Sequence, residues 1–238
     1  MNNYSKLIIS SAALAVSLSS STANAGWLDN YTITSTAGVA TSSAAATNNQ
    51  KASLNSLSLS IGLLGEKWFG RFQVEYPLAP GYYLGSSSVM AMKRTDYTAT
   101  VGYPLSPRVT VSGGYLYTMT DLSSSSGFLE TQRDGGPFIG ASMKMFSAEK
   151  WTVSANISYA YMNGTAKRIT APSTVNFDVS GPTSGLSYGI YWSGQLGRNN
   201  RKYLIGYKIQ DFRFEGTGIG GPQTIDKKYG VLTLLVIL

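Results

Sequence analysis

The chain has 238 residues and a formal net charge of +7, and its basic groups are scattered rather than clustered, so no nucleic acid is expected as a partner. Cysteine and histidine are both absent, which excludes disulfide bridges and, with them, Ser-His hydrolases and most zinc sites. Only 13% of the residues are charged, whereas 43% are hydrophobic, 12% are aromatic and 26 are glycine. Against a usual charged fraction of about 25%, that balance suits a surface with lipid on one side and water on the other.

The N-terminus predicts export. Lys6 supplies a positive start, Leu7 to Leu18 is apolar apart from serines, and Ala23-Asn24-Ala25 has the small-x-small form of a cleavage site, which gives residues 1–25 as a signal peptide. The apolar part is shorter than the roughly 20 residues of a spanning helix. Residues 26–238 read as one domain, since no linker divides them.

From there the signal is period two, the spacing of a strand with unlike faces. A weak strand lies around Tyr31 to Thr41. Leu57, Leu59, Ile61 and Leu63 then alternate with Ser58, Ser60 and Gly62, and Trp68, Phe72, Val74 and Tyr76 with Arg71, Gln73 and Glu75. Tyr97, Ala99, Val101 and Tyr103 oppose Asp96, Thr98, Thr100 and Gly102; Val109, Val111, Tyr115 and Tyr117 oppose Thr110, Ser112, Gly114 and Thr118. The pattern continues through Ile139 to Met145, Trp151 to Tyr161, Leu186 to Trp192 and Tyr203 to Ile209. A last segment, Tyr229 to Leu238, is apolar on both faces, so its register is not readable. About ten strands result, with eight as the alternative.

Short turns are expected at 65–67, 105–108, 147–150 and 197–200. Long loops are expected at 48–53, 77–88, 121–136, 164–184 and 215–226. Short turns on one rim and long loops on the other give an up-and-down antiparallel topology with both termini periplasmic. On the apolar face, Trp68, Tyr103, Trp151 and Tyr203 sit beside the short turns and Tyr76, Tyr117, Tyr161 and Tyr188 beside the long loops, forming two aromatic girdles.

Signal peptide, alternating strands, unequal connections and paired girdles together resemble the bacterial outer-membrane β-barrel superfamily, over nearly the whole of residues 26–238. The resemblance implies a single transmembrane antiparallel barrel in the outer membrane, in contact with lipid including lipopolysaccharide and inserted by barrel-assembly machinery. It departs at Leu238, where such proteins usually carry an aromatic residue. A secreted soluble β protein is the rival reading.

The sequence offers little chemistry. The proteases, phospholipases and lipid A deacylases that this architecture resembles rely on a histidine, so the chain is expected not to be an enzyme, with no catalytic residue, metal or cofactor. Asp96 and Glu75 form at best a carboxylate pair. Inward Arg71, Glu75, Arg94, Asp96, Lys144 and Lys208 are expected to make a mixed-sign network in a narrow lumen. The preferred function is a rigid scaffold whose extracellular loops bind a ligand, through Tyr82, Tyr83, Phe128, Leu129, Ile169, Val175, Phe177 and Ile219. The alternative is a narrow porin-like channel with mild anion preference.

Overall fold

The computed structural model describes residues 32–45, 51–84, 89–124, 127–170, 174–196 and 201–237. The expected signal peptide at 1–25, the turn at 197–200 and Leu238 lie outside the described residues. The described residues form eleven strand segments: β1 (Thr32–Ala45), β2 (Lys51–Leu64), β3 (Phe69–Pro77), β4 (Gly81–Leu84), β5 (Val89–Pro104), β6 (Val109–Ser124), β7 (Leu129–Ser147), β8 (Trp151–Thr170), β9 (Thr174–Leu196), β10 (Arg201–Ile219) and β11 (Gln223–Ile237).

Apart from β3 and β4, which do not pair with each other, each segment pairs antiparallel with its neighbours in sequence, and β1 also pairs with β11, so the sheet closes on itself. Closure removes the free edges that an open sheet exposes. β3 and β4 share one place in the wall, because both pair with β5. Between them Pro77-Leu78-Ala79-Pro80 interrupts the ladder, as expected where two residues lack an N–H; Leu78 N still donates to Asn55 O at 2.8 Å. Ten places around the ring result, which agrees with the expected count of about ten strands.

The connections differ from expectation. Segments 121–136, 164–184 and 215–226, expected as long loops, are mostly strand, and within 77–88 the residues of β4 are strand as well. β8 has 20 residues and β9 has 23, about twice the 9–11 that a tilted strand needs to cross a bilayer. The reason is a change of phase. On β8 the exposed outer residues Ile157, Tyr159 and Tyr161 give way to buried inner Met162 and Ala166. On β10 exposed Ile205 and Tyr207 give way to buried Phe212 and Phe214. Lower down the apolar face looks out; higher up it looks in.

The outer face changes to match. Above Tyr161 and Ile209 it carries the ion pairs Lys167–Asp178 (3.1 Å), Arg213–Glu215 (3.0 Å), Lys228–Asp211 (3.4 Å) and, on β6 and β7, Arg133–Asp121 (2.8 Å). An apolar belt at the height of Trp151 to Tyr161 thus meets lipid, and a charged collar above it meets water. The strands that rise highest are β7 to β10. At the far rim the hairpin between β10 and β11 turns tightly, with Gly220 and Gly221 at φ 90° and 80°, values open to glycine and few other residues.

Candidate functional site

In a closed ring, alternate residues face the lumen, so the exposure of inward side chains reports what fills it. Toward the short-turn rim, inward Thr98, Thr100, Ser112, Ser154, Ser158, Tyr191, Ser193 and Lys208 are all partly exposed. Higher up, inward Ser58, Met92, Leu116, Thr120, Met162, Thr183, Gln210, Phe214, Lys227 and Tyr229 are buried. The interior is therefore a wet vestibule below and a packed plug above.

The plug is built from side chains that reach across. Counting places around the ring from β1, β5 is fourth and β10 ninth, hence opposite. Arg94 on β5 spans that diameter: its Nη2 donates to Gln210 Oε1 at 3.3 Å, its Nε pairs with Asp96 Oδ1 at 2.8 Å, and its guanidinium lies 3.7 Å from the centre of the Tyr229 ring. Such a cation over an aromatic face is held electrostatically as well as by its hydrogen bonds. A small cavity beside it, lined by Ser42, Leu54, Ser56, Glu75, Arg94, Asp96, Tyr229 and Val231, has room for a water molecule.

A second crossing lies higher. Lys227 Nζ on β11 meets Asp134 Oδ2 on β7 at 2.6 Å, with both side chains almost wholly buried. Thr183 Oγ1 donates to Asp134 Oδ1 at 2.6 Å, and Thr118 Oγ1 to Oδ2 at 3.4 Å. Gly164 makes the space: a Cβ there would run into Asp134 Oδ1 and stand 2.8 Å from Thr183 Oγ1 and 3.0 Å from the Phe214 ring. Around these polar groups pack two apolar clusters, Leu116, Ala160, Met162 and Phe212, and Ala166, Phe177, Val179 and Phe214. Nearer the far rim Arg168 pairs with Glu130 at 2.7 Å, and Gln132 donates to Glu130 at 2.6 Å.

Of the six charges expected in the lumen, the structure brings Arg94 and Asp96 into contact. Glu75 accepts from Gln73 at 2.8 Å, and Arg71 donates to Ser60 Oγ at 3.1 Å, so both charges bond to neutral neighbours. Lys208 faces the vestibule, while Lys144 is exposed at the rim where a bulge shifts the β7–β8 register. Asp134, Glu130, Arg168 and Lys227 were not foreseen, because all four fall in, or just beyond, segments expected as loops.

Of the expected girdle residues, Trp68, Tyr103 and Trp151 are exposed near the short turns, where Trp192 adds an edge-on contact to Trp151 at 6.2 Å, and Tyr203 is half-buried. Tyr76, Tyr117 and Tyr161 are exposed higher on the wall. Tyr188 pairs with Ile157, whereas Tyr161 pairs with Ser184. It therefore sits inside the apolar belt and not in the upper ring.

No family model matches the chain, and no curated protein matches it either. Solved structures do. The outer membrane protease OmpT of Escherichia coli superposes with a TM-score of 0.57 over 88% of this chain and 96% of that one, at 9% identity. The translocator domain of the autotransporter NalP from Neisseria meningitidis (TM-score 0.45, 9% identity, 85% and 87% covered) and the attachment invasion locus protein Ail of Yersinia pestis (0.39, 13%, 88% and 99%) are more distant. The expectation that the chain is not an enzyme is corrected by the first of these, since a protease is built on a similar barrel. A missing imidazole removes one general base, not catalysis as a whole: buried carboxylates such as Asp134 and Glu130 remain. With its outward apolar belt, polar lower lumen and closed antiparallel ring, the chain has the fold of a bacterial outer-membrane β-barrel.

Proposed function

We propose that this barrel is a closed, non-conducting surface platform whose far rim binds a protein partner outside the cell. The observation that carries the reading is a row of apolar side chains at the tip of the tall wall. Leu129 pairs with Ile169, and Ile169 with Val175, so the three sit side by side across β7, β8 and β9; Leu129 and Val175 are about two-fifths exposed. The charged collar separates this row from the lipid belt, so lipid is not its partner. Contiguous apolar groups exposed above a membrane mark a contact surface. Ile219, exposed at the tip of β10, extends the apolar character of the rim. Phe177, by contrast, is buried in the plug and supports the wall from inside. The crossings by Arg94 and Lys227 argue against the narrow channel.

Single-channel recording of refolded protein in a planar bilayer tests the closed barrel, and no steady conductance is expected. Capture of surface proteins by the barrel in lipid nanodiscs tests the platform. Leu129→Asp with Val175→Asp should abolish capture and leave assembly intact. A steady current, or capture indifferent to the double change, would refute the reading.

A further inference from the structure

The charges of this barrel are sorted by height. Among the described residues seven cations are matched one to one with seven carboxylates, and every one of these pairs lies in the plug, in the charged collar or near the far rim. The lower lumen is different. Arg71 on β3 and Lys202 and Lys208 on β10 share the parity of the inner face, Lys144 stands at the mouth, and none of the four makes an ion pair among the described residues. The one inward carboxylate there outside these pairs, Glu75, sits at the ceiling beside Arg94. Glu66 and Glu149 stand on the short turns, each followed by a lysine. A confined space with charge of one sign concentrates the opposite charge, and the plug above makes this one a dead end.

Spacing decides what kind of anion fits. Lys202 and Lys208 are six positions apart on one strand, about 20 Å at a rise of about 3.3 Å per residue. Arg71 stands four places away around the ring. A phosphate-sized ion cannot bridge that span, whereas an extended chain of about six residues does. Apolar groups lie between the cations. Leu204 separates Lys202 from Lys208 on the inner face of β10, and Phe69 precedes Arg71 by two positions on β3, with its ring across Gly102. Leu64, the register partner of Phe69, is about half exposed at the mouth. The facing wall carries Thr98, Thr100, Ser112 and Ser154, small side chains that leave room and offer hydroxyls to a peptide backbone. A bare polyanion would leave the apolar groups uncovered.

We propose that the lower lumen is a docking groove for an extended acidic peptide with apolar side chains among its carboxylates, supplied by a protein on the side of the short-turn rim. The peptide's carboxylates accept from Lys202, Lys208 and Arg71, and its apolar side chains meet Leu204 and Phe69. The groove lies at the opposite end of the barrel from the apolar row on the far rim, so either reading can fail without the other.

Fluorescence anisotropy with a labelled peptide of about eight residues, alternating glutamate and leucine, tests the proposal on the full refolded protein in phosphatidylcholine nanodiscs, with empty discs as blank. The peptide should bind at one saturable site, and its counterpart with lysine in place of glutamate should not bind. Lys202→Glu and Lys208→Glu should each weaken binding by about tenfold or more, as for like charges brought together. Lys93→Glu, the same change on the exposed outer face, should leave it unchanged. A glutamate–serine peptide of equal charge should bind about tenfold more weakly, the size of one lost leucine contact, and Leu204→Ser should weaken the glutamate–leucine peptide alone. Lys202 is exposed, so Lys202→Glu decides should Lys208→Glu fail to fold. Absence of saturable binding, equal losses in Lys202→Glu and Lys93→Glu, or equal affinity for the two acidic peptides (attraction of any polyanion only) would overturn the assignment.

Discussion

Replacing Lys227 by Met isolates the energetics of the upper plug. Lys227 and Asp134 have side chains 6% and 4% exposed and meet at 2.6 Å. Two unit charges roughly 3 Å apart attract by about 5–6 kcal/mol at an effective dielectric of about 20, but drying each ion costs several kcal/mol, so the intact pair contributes little net stability. Losing one partner is different. Among the described residues, Lys227→Met leaves the Asp134 carboxylate with the hydroxyls of Thr183 and Thr118, and should cost about 3–5 kcal/mol. The joint change Lys227→Met with Asp134→Leu removes both charges, keeps most of the volume, and should recover most of that loss. Reversible urea unfolding in lipid vesicles, followed by tryptophan emission and by the heat-dependent shift in electrophoretic mobility, supplies the four corners of a double-mutant cycle. A single-variant loss below about 1 kcal/mol, far under the range for a broken buried pair, would show that water reaches this level and that the plug is not dry.

Two further substitutions test the wall. Ile157→Arg and Thr165→Arg lie on the same face of β8, yet the first should cost about 2–4 kcal/mol, as for a charge near the bilayer midplane, and the second should be nearly neutral; equal costs in the same unfolding assay would displace the boundary between belt and collar. Gly164→Ala should destabilise by about 1–3 kcal/mol through overpacking, because its Cβ meets Asp134, Thr183 and Phe214. Gly70→Ala, whose nearest neighbour would be the Trp68 ring at 3.4 Å, should be tolerated, and equal effects of the two would contradict the packing described.

The lower half of the barrel was legible in the sequence because lipid imposes a simple rule. Every outward position from Trp151 to Tyr161 must be apolar or small, and the inward ones are small or polar, so strand, face and girdle are all written in one alternation. Above Tyr161 the same strand continues, but water is now outside and packing inside, and the apolar residues change parity at Met162. A reader following one phase sees the pattern dissolve into Asn163, Gly164, Thr165 and Lys167, a composition that looks like loop. The buried Asp134–Lys227 pair was hidden for the same reason, since 93 positions separate partners that only the ring closure brings together. β11 defeated register assignment because both its faces are needed: Val231 and Leu235 are buried inside, while Leu232 and Leu234 face lipid. The interruption at Pro77 to Pro80 was readable as a break, but four paired residues of β4 beyond it were too few to show a period.

If one closed wall encloses solvent below and a dry plug above, thiol accessibility must differ sharply between the two levels. The chain has no cysteine, so each single replacement carries the only thiol. Ser154→Cys and Ser112→Cys face the vestibule, Ser58→Cys sits at the base of the plug where Ser58 is 0% exposed, and Ala166→Cys lies inside it, where Ala166 is 1% exposed. With refolded protein in lipid vesicles and a charged, membrane-impermeant maleimide, the first two should be modified rapidly, and the last two only after unfolding. Modification of Ser58→Cys and Ala166→Cys at the rate of Ser154→Cys would contradict the account, because it would mean an open lumen from rim to rim.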